Sequence, residues 1–125
     1  MAVVDATADK PLALDCYLPH VARKTPVIVI LPILGGEDYR LERYFARYFI
    51  EHGRATLIVH REKEHLIADE LEIDLMFKQS VLDARAVLDW IEVRPEFAND
   101  RIGVLGISMG GITAALLTAI DPRIR

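Results

Sequence analysis

Cysteine is almost absent from this sequence, because Cys16 is the only one among 125 residues. No internal disulfide can form, whereas small secreted domains commonly depend on several. Residues 1–10, MAVVDATADK, also lack the basic and apolar regions of a secretory signal peptide. These two absences together predict a cytoplasmic protein.

Long apolar runs and an excess of positive charge are absent as well. The longest apolar runs, VIVILPIL and ITAALLTAI, are far shorter than the roughly 20 residues that a membrane-spanning helix needs. Lys and Arg number 15 against 19 Asp and Glu, and no basic block interrupts this balance. The net charge of −4 therefore argues against a nucleic-acid partner, and the run lengths argue against a membrane partner.

What the sequence does contain is a regular alternation of strand and helix patterns. Runs of apolar residues typical of buried strands are separated by segments with helical periodicity. This order predicts an α/β protein with three α/β/α layers and a mostly parallel sheet, folded as a single domain over residues 1–125. The predicted strands are LALDCYL, PVIVILPIL, ATLIVH and RIGVLGI, and the predicted helices lie between Asp38 and Gly53, around Phe77–Ile91, and in GITAALLTAI.

Aromatic residues are concentrated in the first predicted helix. Tyr44, Phe45, Tyr48 and Phe49 recur at spacings of three and four, which predicts an aromatic face in the core rather than a cofactor-binding surface. The glycine spacing in GVLGISMGG does not fit a dinucleotide fingerprint, and no G-K-[ST] sequence is present for a phosphate-binding loop. We therefore predict neither a cofactor nor a metal site.

The motif that carries chemistry is GISMG, from Gly106 to Gly110. It has the G-x-S-x-G pattern and lies where a predicted buried strand meets a predicted helix, the context expected of a nucleophile elbow. In such an elbow Ser108 takes a strained backbone conformation with positive φ, which lifts its hydroxyl clear of the backbone. We expect side chains at Gly106 and Gly110 to collide with one another, and Gly111 to let the helix lie close to the strands. The alternative for Ser108 is a plain helix N-cap.

These residues resemble the α/β-hydrolase superfamily, in particular its dienelactone hydrolase and esterase-like branches. The segments NDRIGVLGISMGG and VIVILPILGG carry the resemblance, which extends from about Leu12 to Arg125 and corresponds to the N-terminal part of that fold. It implies that Ser108 is a nucleophile that forms an acyl-enzyme and that the backbone N–H of Met109 is one oxyanion donor. It also implies a second donor in LPILGG, for which Leu34 is favoured and Ile33 is the neighbouring alternative. Many relatives have His-Gly in that loop, so the match is partial, and an ordinary strand-to-helix turn remains the other interpretation.

One charged segment follows a predicted parallel strand and should emerge on the same edge of the sheet as Ser108. This segment contains His60, Arg61, Glu62 and His65. Arg61 is a candidate pocket residue, and a solvated loop is the alternative interpretation.

The residues after Ser108 include one acid, Asp121, and no histidine. The resemblance implies the chain order Ser, acid, His for a catalytic triad, and Asp121 should lie at the opposite edge of the sheet. We therefore expect an incomplete fold, truncated after the elbow helix, with an open strand edge through which the chain could self-associate. The resulting prediction is a serine hydrolase of small-molecule esters or related acyl substrates that is inactive as the isolated chain. The alternative is a non-catalytic, truncated α/β-hydrolase-like binding module.

Overall fold

The computed structural model describes residues 2–7, 10–20, 23–32, 38–60 and 70–125. Five strands and three helices alternate from the third strand onwards, as the sequence pattern predicts. The elements are β1 (Ala2–Thr7), β2 (Lys10–Tyr17), β3 (Thr25–Leu31), α1 (Arg40–Glu51), β4 (Ala55–Val59), α2 (Glu70–Glu92), β5 (Phe97–Gly106) and α3 (Met109–Ile120).

The five strands form one sheet in the order β1-β2-β4-β3-β5. The strands β4, β3 and β5 are parallel, whereas β2 pairs antiparallel with β4 and β1 pairs antiparallel with β2. The predicted α/β class is confirmed. Strand β1 was not predicted, because AVVDAT lacks the regular alternation of apolar and polar residues that marks a half-buried strand.

Helices cover both faces of the sheet, which gives the three predicted layers. Helix α1 packs on β4 and β3, while α2 and α3 pack against each other and against strands on the opposite face. The larger core cluster lies on the α2 and α3 side, and a smaller cluster built around Ile30, Ala46 and Ile58 lies under α1. The carboxyl ends of β3, β4 and β5 therefore share one edge of a sheet that is shielded on both faces.

Strands β4 and β5 differ in burial because of their places in the sheet. Every residue of β4 is buried, since β4 lies between β2 and β3 and is covered on both faces. The RIGVLGI segment of β5 was predicted to be buried, yet only Ile102 within it is. Strand β5 is the last in the sheet, and on its outer side the described residues provide a single parallel bridge, from Ile102 to Ile124.

Helix α1 is rotated relative to the prediction from its aromatic residues. Tyr44 is 70% exposed and Tyr48 is 53% exposed, so the expectation that both lie in the core is wrong. The buried residues of α1 are Glu42 and Ala46, and the small alanine side chain lets the helix axis come close to the sheet. The tyrosines consequently point outwards.

Helix α2 confirms its predicted apolar face. Four side chains at helical spacing are buried on the sheet side, and Phe77 at the start of this face is partly buried. The four are Val81, Ala84, Leu88 and Ile91. Although α2 has 23 residues, no helix in the described part of the chain is both long and apolar enough to cross a membrane.

Candidate functional site around Ser108

Ser108 lies with Ile107 between the end of β5 and the start of α3. Its backbone has φ 56° and ψ −118°, and its side chain is exposed. A positive φ is costly for a residue with a Cβ, and such strain is found mainly where the surrounding structure imposes it. The positive φ predicted for Ser108 is therefore present, at the junction of strand and helix where GISMG was expected to form an elbow.

The hydroxyl of Ser108 makes no capping hydrogen bond to α3. The helix N-cap interpretation required such a bond, so this interpretation is wrong. The first turn of α3 is closed by backbone groups instead, since Gly110 N–H donates to Ile107 O at 2.9 Å and Gly111 N–H donates to Ser108 O at 2.9 Å. For the N–H of Met109, the described residues provide no acceptor.

Gly106 is required by a close backbone approach within the turn. A Cβ at this position would overlap the carbonyl of Gly110 and lie 2.6 Å from the Cα of Gly111. Because the obstructing atoms are backbone, no side-chain rotation relieves the overlap. This agrees with the prediction that position 106 must be small.

Gly110 is also required, although for a reason that differs from the predicted one. A Cβ on Gly110 would overlap the carbonyl oxygen of Leu31 and lie 2.8 Å from the carbonyl oxygen of Pro32, both at the end of β3. The nearest obstruction at Gly110 is thus the backbone of β3, while the predicted close approach of positions 106 and 110 is seen at Gly106. The expected need for glycine at Gly111 is weaker, since a Cβ there would be 3.4 Å from Gly106 O, an ordinary contact.

Two of the predicted site positions cannot be located. These two positions, Leu34 and Arg61, lie outside the described residues. The same holds for Ile33, the alternative to Leu34, and for Glu62 and His65. Their segments begin after β3 and β4, whose carboxyl ends lie at the same edge of the sheet as Ser108. Their roles in oxyanion binding and in the pocket stay predictions.

His60 is not a solvated loop residue. Its Nε2 lies 2.9 Å from Asp15 Oδ1, within ion-pair distance but without hydrogen-bond geometry, and its side chain is 22% exposed. The imidazole also stacks on Tyr39, with ring centroids 4.9 Å apart and planes 12° apart, and Arg43 approaches the same carboxylate at 3.9 Å. No local pattern in the sequence indicates this group, because Asp15, Tyr39 and His60 come from three separate segments. This group joins β2, the start of α1 and the end of β4, near the edge of the sheet that carries Ser108.

Asp121 lies at the far end of α3, as predicted, and is bound by two arginines. Arg123 donates through Nη2 at 2.7 Å and Nε at 2.9 Å, and Arg85 Nε is 3.4 Å away. The hydrogen bonds from Arg123 lower the pKa of this buried carboxyl to about 2. Arg123 also pairs with Asp89 and Glu92 near the end of α2, where the chain leads into the start of β5, so this network lies at the edge opposite Ser108.

Comparisons with known proteins agree with this architecture. Residues 10–124 match the X-Pro dipeptidyl-peptidase (S15) family. Over 51 residues the chain is 37% identical to YtaP of Bacillus subtilis (strain 168), a protein named as a hydrolase, and this match covers 41% of the chain and 17% of YtaP.

Solved structures of esterases have the same fold. Est1E from Butyrivibrio proteoclasticus, solved with ferulic acid bound, gives a TM-score of 0.81 at 21% identity, covering 99% of this chain and 49% of Est1E. Acetyl Xylan Esterase 1 from Thermoanaerobacterium sp. JW/SL YS485 gives a TM-score of 0.75 at 18% identity, covering 92% of this chain and 42% of the esterase. The chain thus spans less than half the length of these structures.

The resemblance to α/β hydrolases seen in the sequence is confirmed, while the dienelactone-hydrolase branch stays a prediction. The matched region includes Ser108, both flanking glycines and all of the strands except β1. The chain has an incomplete α/β-hydrolase fold and belongs to the X-Pro dipeptidyl-peptidase (S15) family.

Proposed function

We propose that this chain carries the nucleophile of a serine hydrolase that acts on carboxylic esters or related acyl substrates. The observation that supports this most directly is the strained, exposed and uncapped Ser108. A hydroxyl held in this way is free to attack, because no hydrogen bond to the backbone of α3 restrains it. In this proposal Gly106 and Gly110 serve the backbone geometry that Ser108 needs.

The proposed reaction proceeds through an acyl-enzyme. Ser108 Oγ attacks the acyl carbon and loses its proton to a general base, and the carbonyl oxygen becomes an oxyanion. The N–H of Met109, at the positive end of α3, donates to this oxyanion, with Leu34 or Ile33 as the second donor. The oxyanion collapses and expels the alcohol, which takes up the proton, and water then releases the acid from Ser108 by the reverse sequence of proton transfers.

We propose further that residues 1–125 alone do not hydrolyse esters, since no histidine follows Ser108 in the sequence. Two of the three described histidines have other contacts: His52 Nδ1 lies 2.7 Å from Tyr48 O, and His60 Nε2 lies 2.9 Å from Asp15 Oδ1. The third, His20, follows β2 at the edge where β4 begins, which is opposite the edge that carries Ser108. Without a base the hydroxyl is a weak nucleophile.

Labelling with a fluorophosphonate tests the role of Ser108. The protein is expressed from its complete gene, and the fluorophosphonate adduct is located by mass spectrometry. We expect labelling that disappears in Ser108→Ala and persists in Ser80→Ala, which removes the other serine of these 125 residues. Labelling that survives Ser108→Ala would refute the assignment.

A non-catalytic binding module is the second candidate, because no histidine among the described residues is hydrogen-bonded to Ser108. Turnover of p-nitrophenyl acetate distinguishes the hydrolase from the binding module. If the complete gene product is folded and inert, the binding module is the better description. Turnover that depends on Ser108 supports the hydrolase.

The open edge of β5 supports a further proposal, self-association of the 125-residue chain. Strand β5 ends the sheet, and unpaired strand edges readily accept another strand. Light scattering across a dilution series should show a mass that rises with concentration. A constant monomer mass would contradict the proposal.

A further inference from the structure

A groove lies between the outer flank of α1 and β2, on the other side of the sheet centre from Ser108. Its volume is about 570 Å³, within the range of small-molecule sites. Ile50 of α1 supplies apolar surface, and Tyr17 of β2 and Tyr44 of α1 supply aromatic surface. Strands β4 and β3 separate β2 from β5, so this groove is distinct from the elbow.

Two arginines line the groove, and one of them has no acidic partner among the described residues. Arg43 and Arg47 lie one helical turn apart and both line the groove. Arg47 forms no ion pair with any described residue, and the only carboxylate near Arg43 is that of Asp15, at 3.9 Å. Glu51 and Asp15 balance the two arginines overall, but the guanidinium group of Arg47 stays available to a ligand.

The position of these arginines on α1 does not serve the stability of the helix. Arg40 and Arg43 lie in the first turn and Arg47 follows, while the last turn has no basic residue. The N-terminal end of a helix carries partial positive charge, so arginines are favourable at the other end. The arginines of α1 are therefore not placed to offset the helix dipole.

The acidic neighbours limit the charge of an anion in the groove. Glu51 lines the groove, and Asp15 lies beside Arg43. A dianion would be repelled by these two carboxylates, whereas a single carboxylate can accept hydrogen bonds from one or both guanidinium groups. The tyrosines and the apolar surface fit a flat ring attached to such a carboxylate.

We propose that this groove binds a small aromatic carboxylate. Arg43 and Arg47 bind the carboxylate, and the ring lies over Ile50 beside Tyr17 and Tyr44. The proposal does not depend on the role of Ser108.

An NMR titration of the 125-residue chain with sodium phenylacetate tests the site. We expect saturable shifts of backbone amides in α1 and β2. Phenylacetamide, a neutral molecule of nearly the same shape, should bind at least about tenfold more weakly, because it lacks the charge that strengthens hydrogen bonds to arginine. This comparison uses the unmodified protein and needs no variant to fold.

Arg47→Gln and Arg101→Gln form a matched pair. Arg101 is an exposed arginine on β5, away from the groove. We expect Arg47→Gln to weaken phenylacetate binding by about tenfold and Arg101→Gln to leave it unchanged. The proposal is overturned if no saturable shifts occur in α1 and β2, if phenylacetamide binds equally well, or if both variants weaken binding alike. Tighter binding of phenyl phosphate would also overturn it, since that ligand is a dianion.

Discussion

Gly110 in the first turn of α3 lies against the backbone carbonyl of Leu31 at the end of β3. The contact holds the helix directly over the neighbouring strand, so that the chain can leave β5, pass through Ser108 and enter α3 within two residues. The sharp turn at Ser108 is therefore imposed jointly by β5 and β3. Any side chain at position 110 would push α3 away from this edge.

Gly110→Ala should severely destabilise the protein. The new Cβ would overlap the Leu31 carbonyl, and backbone atoms cannot rotate away. We therefore expect the free energy of unfolding to fall by about 3 kcal/mol or more. Gly111→Ala is the matched control, because its Cβ would be 3.4 Å from Gly106 O and alanine favours a helix. Urea unfolding of both variants gives the comparison. Equal stabilities would show that α3 can shift without cost.

The lowered pKa of Asp121 predicts that the stability of the fold depends on pH. Hydrogen bonds from Arg123 lower that pKa from 3.8 to about 2 in the folded chain. Because the folded pKa is the lower one, the stabilisation is complete above about pH 4 and is lost as the pH falls towards 2. The shift corresponds to about 2 kcal/mol at neutral pH. We expect Asp121→Asn to reduce the free energy of unfolding by about this amount at pH 7.

The difference between Asp121→Asn and the unmodified protein should shrink between about pH 4 and pH 2. Asp100→Asn is the control, since Asp100 is an exposed aspartate on β5 outside the Arg123 network. Thermal unfolding at several pH values gives the profile. If the stability of both variants changes with pH in the same way as that of the unmodified protein, the carboxylate of Asp121 does not contribute as proposed.

The elbow could be predicted from the sequence because its determinants are local. A strand, a serine between two glycines and a helix occupy a short continuous segment, and the positive φ of Ser108 follows from that order. The contact that makes Gly110 necessary is with β3, far away in the sequence. Spacing alone could not indicate which backbone would lie there, so the collision was attributed to Gly106.

Helix α1 shows the limit of periodicity. The aromatic residues have helical spacing, but a helix can present such a stripe either to the sheet or to solvent. Ala46 decides the rotation, because its small side chain permits the closest approach to the sheet. The groove with Arg43 and Arg47 depends on this rotation and on the position of Tyr17, and neither is visible in the spacing of residues.

Thr56 gives a prediction about an isolated polar atom. Its Oγ1 is buried in β4 and has no hydrogen-bond partner among the described residues. Burying a hydroxyl without a partner is unfavourable, so Thr56→Val should raise the free energy of unfolding by about 1 kcal/mol. Thr25→Val is the matched control, since Thr25 Oγ1 donates to Arg23 O at 3.2 Å, and it should lower stability. Chemical denaturation distinguishes the two signs, and a loss of stability in Thr56→Val would indicate that its hydroxyl is hydrogen-bonded.

The contact between Asp15 and His60 should be energetically coupled. The His60 and Asp15 side chains are 22% and 13% exposed, so solvent screens their interaction less than that of a surface pair. A double-mutant cycle with Asp15→Ala and His60→Phe removes the polar contact while a ring stays beside Tyr39. We expect a coupling energy of about 1 kcal/mol in urea unfolding.

Asp38 and Arg40 provide the control cycle for this measurement. Their atoms Oδ2 and Nε are only 2.6 Å apart, yet the Arg40 side chain is 89% exposed and that of Asp38 is 57% exposed. Exposed ion pairs contribute little, so the coupling there should be below about 0.5 kcal/mol. If both cycles gave the same value, burial would not strengthen the Asp15–His60 contact. A larger coupling for Asp15 and His60 would show that this contact ties β2 to the end of β4, beside the edge of the sheet that carries Ser108.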